Sequence, residues 1–232
     1  MRIDKFLAQM GVGTRTEVKD LLKKGRVSSN GTKIKSAKTQ IDPNTDTIEV
    51  DGKVIVYEPY VYLMMNKPQD VISATADNMH RTVIDLIEGY QHLDLFPVGR
   101  LDKDTEGLLL ITNDGQFNHA LMSPNKHVSK TYWVKAKVDL KDCDQKRFEE
   151  GITLKEGQLQ PAQLEILKES NTALVTIQEG KYHQVKRMFH AIDNEVVVLK
   201  RVSIGDLQLD SSLPPGAYRH LTEEELKLLN YL

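Results

Sequence analysis

Short strand-like segments dominate the chain after Pro59, and they do not alternate regularly with helices. Runs rich in Val, Ile, Thr and Tyr predict strands at 61–65, 108–112, 131–138, 162–167, 173–178, 196–202 and 207–209. Apolar residues at helical spacing predict helices at 82–86, 116–122, 141–150, 182–192 and 223–229. A doubly wound fold requires strand and helix in regular succession. We therefore expect an α+β fold with a mixed, largely antiparallel sheet flanked by helices.

The first 57 residues follow a different pattern, with two short helices and a hairpin. Thr14 and Glu17 have the spacing of a capping box, which predicts that a helix begins there. An Asn-Gly pair at 30–31 lies between two short runs, as in a tight hairpin turn. Pro59 marks a boundary, so we predict two domains, at 1–59 and 60–232.

Positive charge is concentrated at the start of the chain. The net charge is −2, yet residues 1–38 hold ten Lys and Arg against three acidic residues, which leaves a net −9 for the remainder. Arg15, Lys19 and Lys23 recur at intervals of four and share one helix face. This asymmetry predicts a basic arm that binds nucleic acid. The alternative is a solvated basic helix face.

The basic region resembles an S4 RNA-binding domain over the segment RIDKFLAQMGVGTRTEVKDLLKKGRVSSNGTKI. The resemblance implies a compact platform whose Lys and Arg contact the phosphates of a structured RNA. Such contacts supply affinity and register but little sequence information. The residues expected to contact RNA are Arg2, Lys5, Arg15, Lys19, Lys23, Lys24 and Arg26.

A charged loop at 99–106 stands between a Pro-Val-Gly entry and an apolar strand. Loops held by a rigid element often carry function. The pattern is also typical of an ordinary charged turn. Spacing alone does not distinguish Asp102 from Asp104 or Glu106.

A family resemblance assigns a role within this loop. The segment GRLDKDTEGLLLITNDG is similar to the catalytic motif of the RsuA-type pseudouridine synthases, whose nucleophilic aspartate corresponds to Asp102. Four further blocks follow the family's order, namely MNKP, KTY, EGKYHQVKRMF and LPPGAYRHLTEEE. The resemblance implies an RNA pseudouridine synthase, and it is closest to the branch that acts on small-subunit ribosomal RNA.

The implied reaction converts uridine into an isomer with the same atoms, so the resemblance implies no redox cofactor, ATP or metal. Asp102 would act as a nucleophile or as a base on the sugar, and the sequence leaves both routes open. The target base must leave its stack to reach the site. Lys67 and Arg100 are expected to contact phosphates near the cleft.

Tyr132 has two interpretations. Strand alternation places it on one face with Val134, Ala136 and Val138, which favours a core tyrosine. The family resemblance implies instead that Tyr132 packs on the flipped base, a contact that suits an aromatic ring. We favour the second interpretation.

The helix predicted at 182–192 separates two neighbouring basic residues. Helical spacing puts Val185, Met188, Phe189 and Ile192 in a buried stripe with Lys186 at its flank. The same spacing puts Arg187, His183 and His190 on the solvated side. Lys186 is therefore expected to reach Asp102 and favour the charged carboxylate, as the family motif also implies. The alternative is a solvated lysine.

Several classes of protein are disfavoured. No apolar run reaches the length of about 18 residues needed to span a bilayer, and the N-terminus lacks the apolar core of a signal peptide. Cys143 is the only cysteine, which excludes an internal disulfide. We expect a cytoplasmic monomer that acts in ribosome biogenesis on small-subunit RNA or an assembly intermediate. The alternatives are the same reaction on large-subunit RNA, or a non-catalytic RNA-binding or ribosome-assembly factor.

Overall fold

The structure is a computed structural model that describes residues 1–123 and 126–231. The chain separates into two compact units. The N-terminal unit comprises Met1–Val61 and Glu88–Leu95, and the C-terminal unit comprises Tyr62–Ile87 and Phe96–Leu232. The segment Glu88–Leu95 therefore packs with the N-terminal unit, although it follows the start of the C-terminal unit in sequence.

The N-terminal unit combines two helices with a small antiparallel sheet. Its elements are α1 (Ile3–Gln9), α2 (Arg15–Lys23), β1 (Val27–Ser29), β2 (Thr32–Lys33), β3 (Ile48–Val50) and β4 (Lys53–Val54). The strand order is β2-β1-β3-β4. The hydroxyl of Thr14 accepts from the Glu17 amide and the Glu17 carboxylate accepts from the Thr14 amide, so the predicted capping box is confirmed.

The turn between β1 and β2 confirms the predicted Asn-Gly hairpin. Asn30 and Gly31 both have positive φ, at 50° and 77°, and Ser29 pairs with Thr32 across the turn. Two successive left-handed residues match the right-handed twist of the flanking strands. The core beneath the hairpin is formed by the apolar faces of both helices and the inner face of the sheet, with Ile3, Phe6, Leu7, Val18, Leu22, Val27 and Ile48 fully or almost fully buried.

The C-terminal unit is built on a nine-stranded sheet. Its strands are β5 (Tyr62–Lys67), β6 (Phe96–Val98), β7 (Glu106–Thr112), β8 (Lys130–Ala136), β11 (Gln163–Ile166), β12 (Thr172–Ile177), β13 (Val196–Ile204), β14 (Leu207–Gln208) and β15 (Tyr218–His220). Its helices are α3 (Gly115–Met122), α4 (Asp142–Glu150), α5 (Gln184–Ala191) and α6 (Glu223–Leu228). A separate hairpin joins β9 (Thr153–Leu154) to β10 (Gly157–Gln158).

The strand order through the main sheet is β11-β12-β8-β13-β7-β5-β15, with β6 paired to β7 and β14 paired to β13. Within the described residues, only β13 and β7 pair in parallel. The predicted α+β fold with a mixed, largely antiparallel sheet is therefore confirmed. Strand β7 is buried along almost its whole length, as expected for a central strand. The loop that precedes β7 is consequently attached to a rigid element.

Three details of the sequence prediction are wrong. The helix predicted at 82–86 is a single 3₁₀ turn at Ile84–Leu86. Strands β6 and β15 were not predicted, because three residues are too few to show a two-residue period. Val138 lies beyond the end of β8 and is 52% exposed, so it does not share the buried face of Tyr132.

No helix in the described part of the chain combines the length and the apolar character that a bilayer crossing requires.

Candidate active site

The last residue of β5 holds the loop before β7 through side-chain hydrogen bonds. Lys67, the last residue of β5, is fully buried, and its ammonium donates to the carbonyl oxygens of Pro68, Lys103 and Thr105 at 2.9, 3.3 and 2.8 Å. The hydroxyl of Ser73 donates to the Leu101 carbonyl at 2.9 Å and accepts from the Leu101 amide at 3.0 Å. These bonds fix the backbone on both sides of Asp102.

The predicted phosphate contact at Lys67 is wrong. Its ammonium is enclosed and already bonded to three carbonyl oxygens, so it has no surface to offer a phosphate. Burial lowers the pKa of Lys67 to about 8, although Asp104 and Asp102 nearby act in the opposite direction. The motif MNKP indicated a basic residue close to the site. Only the burial of β5 shows that Lys67 binds the carbonyl oxygens of the loop and not an RNA phosphate.

Asp102 is paired with Lys186, as predicted. The Lys186 ammonium lies 3.1 Å from Asp102 Oδ2 and 2.5 Å from Asp104 Oδ1. Burial alone would lower the pKa of Lys186, but its hydrogen bonds to Asp104 and Asp102 raise it above the usual value. Burial likewise acts to raise the pKa of Asp104, and the bond from Lys186 outweighs it and lowers that pKa. The raised pKa favours the charged form of Lys186 beside both carboxylates.

Helix α5 presents Lys186 to the loop through the predicted buried stripe. Val185, Met188, Phe189 and Ile192 are all buried, which confirms the helical face. Arg187 on the next position forms an ion pair with Glu156 instead. The helical spacing therefore predicted correctly that Lys186, and not Arg187, reaches Asp102.

His183 was placed wrongly by the same argument. Its Nε2 lies 3.4 Å from Asp102 Oδ1, so it faces the loop and not only solvent. Helix α5 begins at Gln184, and His183 has left-handed backbone angles of φ 48° and ψ 34°. Extrapolating the helical period to a residue outside the helix therefore gave the wrong direction. His183 and Lys186 thus contact the two oxygens of the Asp102 carboxylate from the first turn of α5 and the residue before it.

Tyr132 lies on the buried face of β8, with only 8% of its surface exposed. It is opposite Arg201 of β13 and Val175 of β12. In the part of the chain that the structure describes, Tyr132 makes no hydrogen bond to Asp102 or Lys186. Its packing against a flipped base stays a prediction.

Arg201 is a buried basic residue that the sequence analysis missed. It is 2% exposed, and its Nε donates to the Leu108 carbonyl at 2.8 Å, while Nη2 is buried with no partner among the described residues. In the sheet it stands between Tyr132 and Gly107. Gly107 has φ 102°, and a Cβ there would lie 2.2 Å from the Arg201 carbonyl oxygen, so only glycine allows this strand pairing. An arginine inside an apolar strand was the available signal.

The basic residues predicted to contact RNA fall into two groups. Arg2 is paired with Asp4 and Arg26 with Asp51, so both have a partner within the N-terminal unit. The others are exposed and, among the described residues, form no ion pair: Lys5, Arg15, Lys19, Lys23, Lys24 and, in the C-terminal unit, Arg100.

Within the described residues, no group of three or more His, Cys, Asp or Glu side chains could hold a metal ion. The expectation of chemistry without metal or cofactor stays a prediction.

Comparison with known proteins identifies the family. Residues 61–191 match the RNA pseudouridylate synthase family, and residues 1–46 match the S4 domain. The chain belongs to the RNA pseudouridylate synthase family. Both resemblances noted in the sequence are confirmed, and the protein is an isomerase of this family.

Relatives of this synthase match over nearly the full length. An uncharacterized RNA pseudouridine synthase of Bacillus subtilis is 50% identical, with 99% of this chain and 98% of the relative covered. The ribosomal small subunit pseudouridine synthase A of Vibrio cholerae is 43% identical, with 97% and 98% covered. A crystal structure of a pseudouridylate synthase is similar with a TM-score of 0.70 and 38% identity, and the match covers 99% of both chains.

Proposed function

We propose that this synthase converts one specific uridine of small-subunit ribosomal RNA into pseudouridine, with Asp102 as the catalytic carboxylate. The observation that carries the proposal is the Asp102 carboxylate itself, which contacts Lys186 through one oxygen and His183 through the other. The choice of RNA is supported by relatives named ribosomal small subunit pseudouridine synthase A, which are 39–43% identical. We further propose that the enzyme acts as a monomer in cytoplasmic ribosome biogenesis.

The reaction breaks the C1′–N1 bond of uridine and forms a C1′–C5 bond. The hydrogen at C5 leaves and N1 takes up a proton, so the atoms balance without a co-reactant. Asp102 either attacks the sugar carbon or removes a proton from the sugar, and both routes require a charged carboxylate in a fixed place. Lys186 supplies the compensating charge, and the Lys67 hydrogen bonds hold the loop that carries Asp102.

Substrate positioning is divided between other residues. Tyr132 packs against the extruded base, a role supported by the family resemblance and by the suitability of an aromatic ring for stacking on a base. The exposed cations of α2 hold RNA phosphates, as does Arg100 beside the catalytic loop. Arg2 and Arg26 contribute less, because each is already paired with a carboxylate.

The test is to map pseudouridines in ribosomal RNA from cells with and without the gene. We expect one small-subunit site to disappear in the deletion and to return with the wild-type gene but not with Asp102→Asn. Loss of a large-subunit site instead would change the substrate and keep the chemistry. An unchanged map in all stable RNAs would overturn the proposal and favour a non-catalytic RNA-binding role.

A further inference from the structure

An exposed aromatic ring stands next to the Asp102 site. Tyr182 is 72% exposed, although it is a large and partly apolar side chain. Its ring lies on the ring of His183 with centroids 3.7 Å apart and planes inclined by 18°. One face of Tyr182 is therefore covered by His183, and most of the remaining ring is open to solvent.

The stack is fixed in place by a tight turn that the Gln184 side chain stabilises. His183 has a left-handed conformation that a residue other than glycine adopts at some cost, so the surrounding structure must maintain it. Gln184, which is buried, does so: its Oε1 accepts from the Lys181 amide at 2.9 Å and its Nε2 donates to Glu179 at 2.9 Å. These bonds close a tight turn that holds both rings at the start of α5.

His183 joins the exposed ring to the reaction centre. Its Nε2 lies 3.4 Å from Asp102 Oδ1 while its ring is stacked on Tyr182. The reacting uridine must reach Asp102 itself. A planar group on the open face of Tyr182 is separated from His183 by one ring, so it belongs to a nucleotide other than the target.

We propose that Tyr182 and His183 form a stacking platform for an unpaired RNA base close in sequence to the target uridine. This proposal rests on the proposed function. Tyrosine and histidine rings are common stacking partners of splayed bases in RNA, and stacking accepts any base because each has a π-face. Lys181, adjacent to the stack, is paired with Glu179 at 3.6 Å, so the proposal assigns it no phosphate contact.

The platform also affects the position of Asp102. A base stacked on Tyr182 favours the position in which the Tyr182 ring covers His183, and His183 touches the catalytic carboxylate. The enzyme therefore binds best where an unpaired base accompanies the target uridine, and this selects loops over regular duplex. Losing the Tyr182 ring should weaken RNA binding by roughly 10-fold or more, the range measured for single stacked bases.

The experiment measures tritium release from small-subunit RNA transcribed with [5-³H]uridine, because pseudouridine formation frees the C5 hydrogen. Three variants are compared with wild type: Tyr182→Leu removes the ring and keeps apolar bulk, Tyr182→Phe keeps the ring, and Tyr60→Leu makes the same change at another exposed tyrosine. We expect Tyr182→Leu to raise KM about 10-fold with a smaller effect on kcat. The KM of Tyr182→Phe should lie close to that of the wild type, and the KM of Tyr60→Leu should match it.

A second arm uses RNA with a single abasic nucleotide on either side of the mapped target. With the abasic nucleotide at one of these positions, the KM of the wild type should rise to that of Tyr182→Leu. The KM of Tyr182→Leu should not change with the same abasic RNA. A wild-type KM in Tyr182→Leu, or an equal loss in Tyr182→Phe, would overturn the platform and leave the proposed function intact. No tritium release by the wild-type enzyme from small-subunit RNA, either free or in an assembly intermediate, would overturn the proposed small-subunit substrate and the platform with it.

Discussion

The ammonium of Lys186 donates a hydrogen bond of 3.1 Å to Oδ2 of Asp102, which lies 84 residues earlier in the chain. The same ammonium bonds Asp104 at 2.5 Å, and Asp104 is more exposed than Asp102. One cation thus links the more buried carboxylate with an exposed one. Asp104 helps to hold Lys186 in position, and Asp102 is the less exposed of the two carboxylates that Lys186 contacts.

Asp102→Asn should abolish tritium release while RNA affinity stays near wild type, because the amide keeps the shape and loses both nucleophile and base. Asp104→Asn is not a neutral control, because the bond between Asp104 and Lys186 predicts a partial loss of kcat. The exposed Asp206 is the better control, and Asp206→Asn should be fully active. Turnover by Asp102→Asn above the level without enzyme would contradict the assignment.

Lys186→Met should lower the single-turnover rate far more than Arg187→Met. Lys186 touches Asp102, whereas Arg187 is paired with Glu156. Removing one active-site donor that stabilises charge typically costs about 100-fold or more in kcat. The two variants remove the same charge from adjacent positions, so they control for general electrostatics. Equal losses would mean that proximity to Asp102 is not what matters.

The helical and strand periods predicted which faces are buried inside regular elements, and they failed for residues just outside those elements. The buried stripe of α5 and the face of β8 through Ala136 were correct, because several residues report on one regular element. His183 was misplaced because it lies one residue before α5 and has left-handed angles that no helical wheel represents. The exposed Val138 failed for the same reason at the end of β8.

The role of a charged side chain could not be predicted from the sequence where that role depends on whether the side chain is buried. A lysine near a cleft suggests a phosphate contact, yet the Lys67 ammonium is enclosed by the carbonyl of the adjacent Pro68 and by those of Lys103 and Thr105 in a distant loop. The role of Asp102 came from family resemblance, since spacing did not separate it from Asp104. The structure adds that Lys186 contacts both, which neither spacing nor composition could show.

Lys67 should give the C-terminal unit a pH-dependent stability. Burial lowers its pKa from 10.5 to about 8. Between these values the unfolded chain binds more protons than the folded chain, so the free energy of unfolding rises with pH in this window. Below about pH 8 the lysine is charged in both states and gives no slope.

The measurement is urea unfolding followed by the fluorescence of Trp133, the single tryptophan, which lies in β8. The free energy of unfolding of wild type relative to Lys67→Met should increase by up to about 3 kcal/mol between pH 8 and 10.5. The exposed Lys227 provides the control, since Lys227→Met should show no such trend. A difference that stays constant or shrinks with rising pH would refute the role of burial.

Binding of RNA by the N-terminal unit should depend steeply on salt. Arg15, Lys19 and Lys23 of α2 are exposed and, among the described residues, form no ion pair. Each phosphate contact changes the slope of log affinity against log salt by about 0.7–0.9. Replacing all three residues by Gln should weaken binding and flatten the slope by roughly two to three units, if each contacts a phosphate. The rate at saturating RNA should stay near wild type, because none of the three contacts Asp102.

The matched control replaces three other exposed lysines of the same unit, Lys33, Lys35 and Lys38, by Gln. Both triple variants lose three positive charges, so a general electrostatic field predicts equal effects on the slope. Contacts through one face of α2 predict a large change only in the first variant, because counterions are released where phosphates are neutralised. A wild-type slope in the α2 variant would mean that this face is merely solvated. Recognition of RNA would then have to lie with Arg100 and the surface around the catalytic loop.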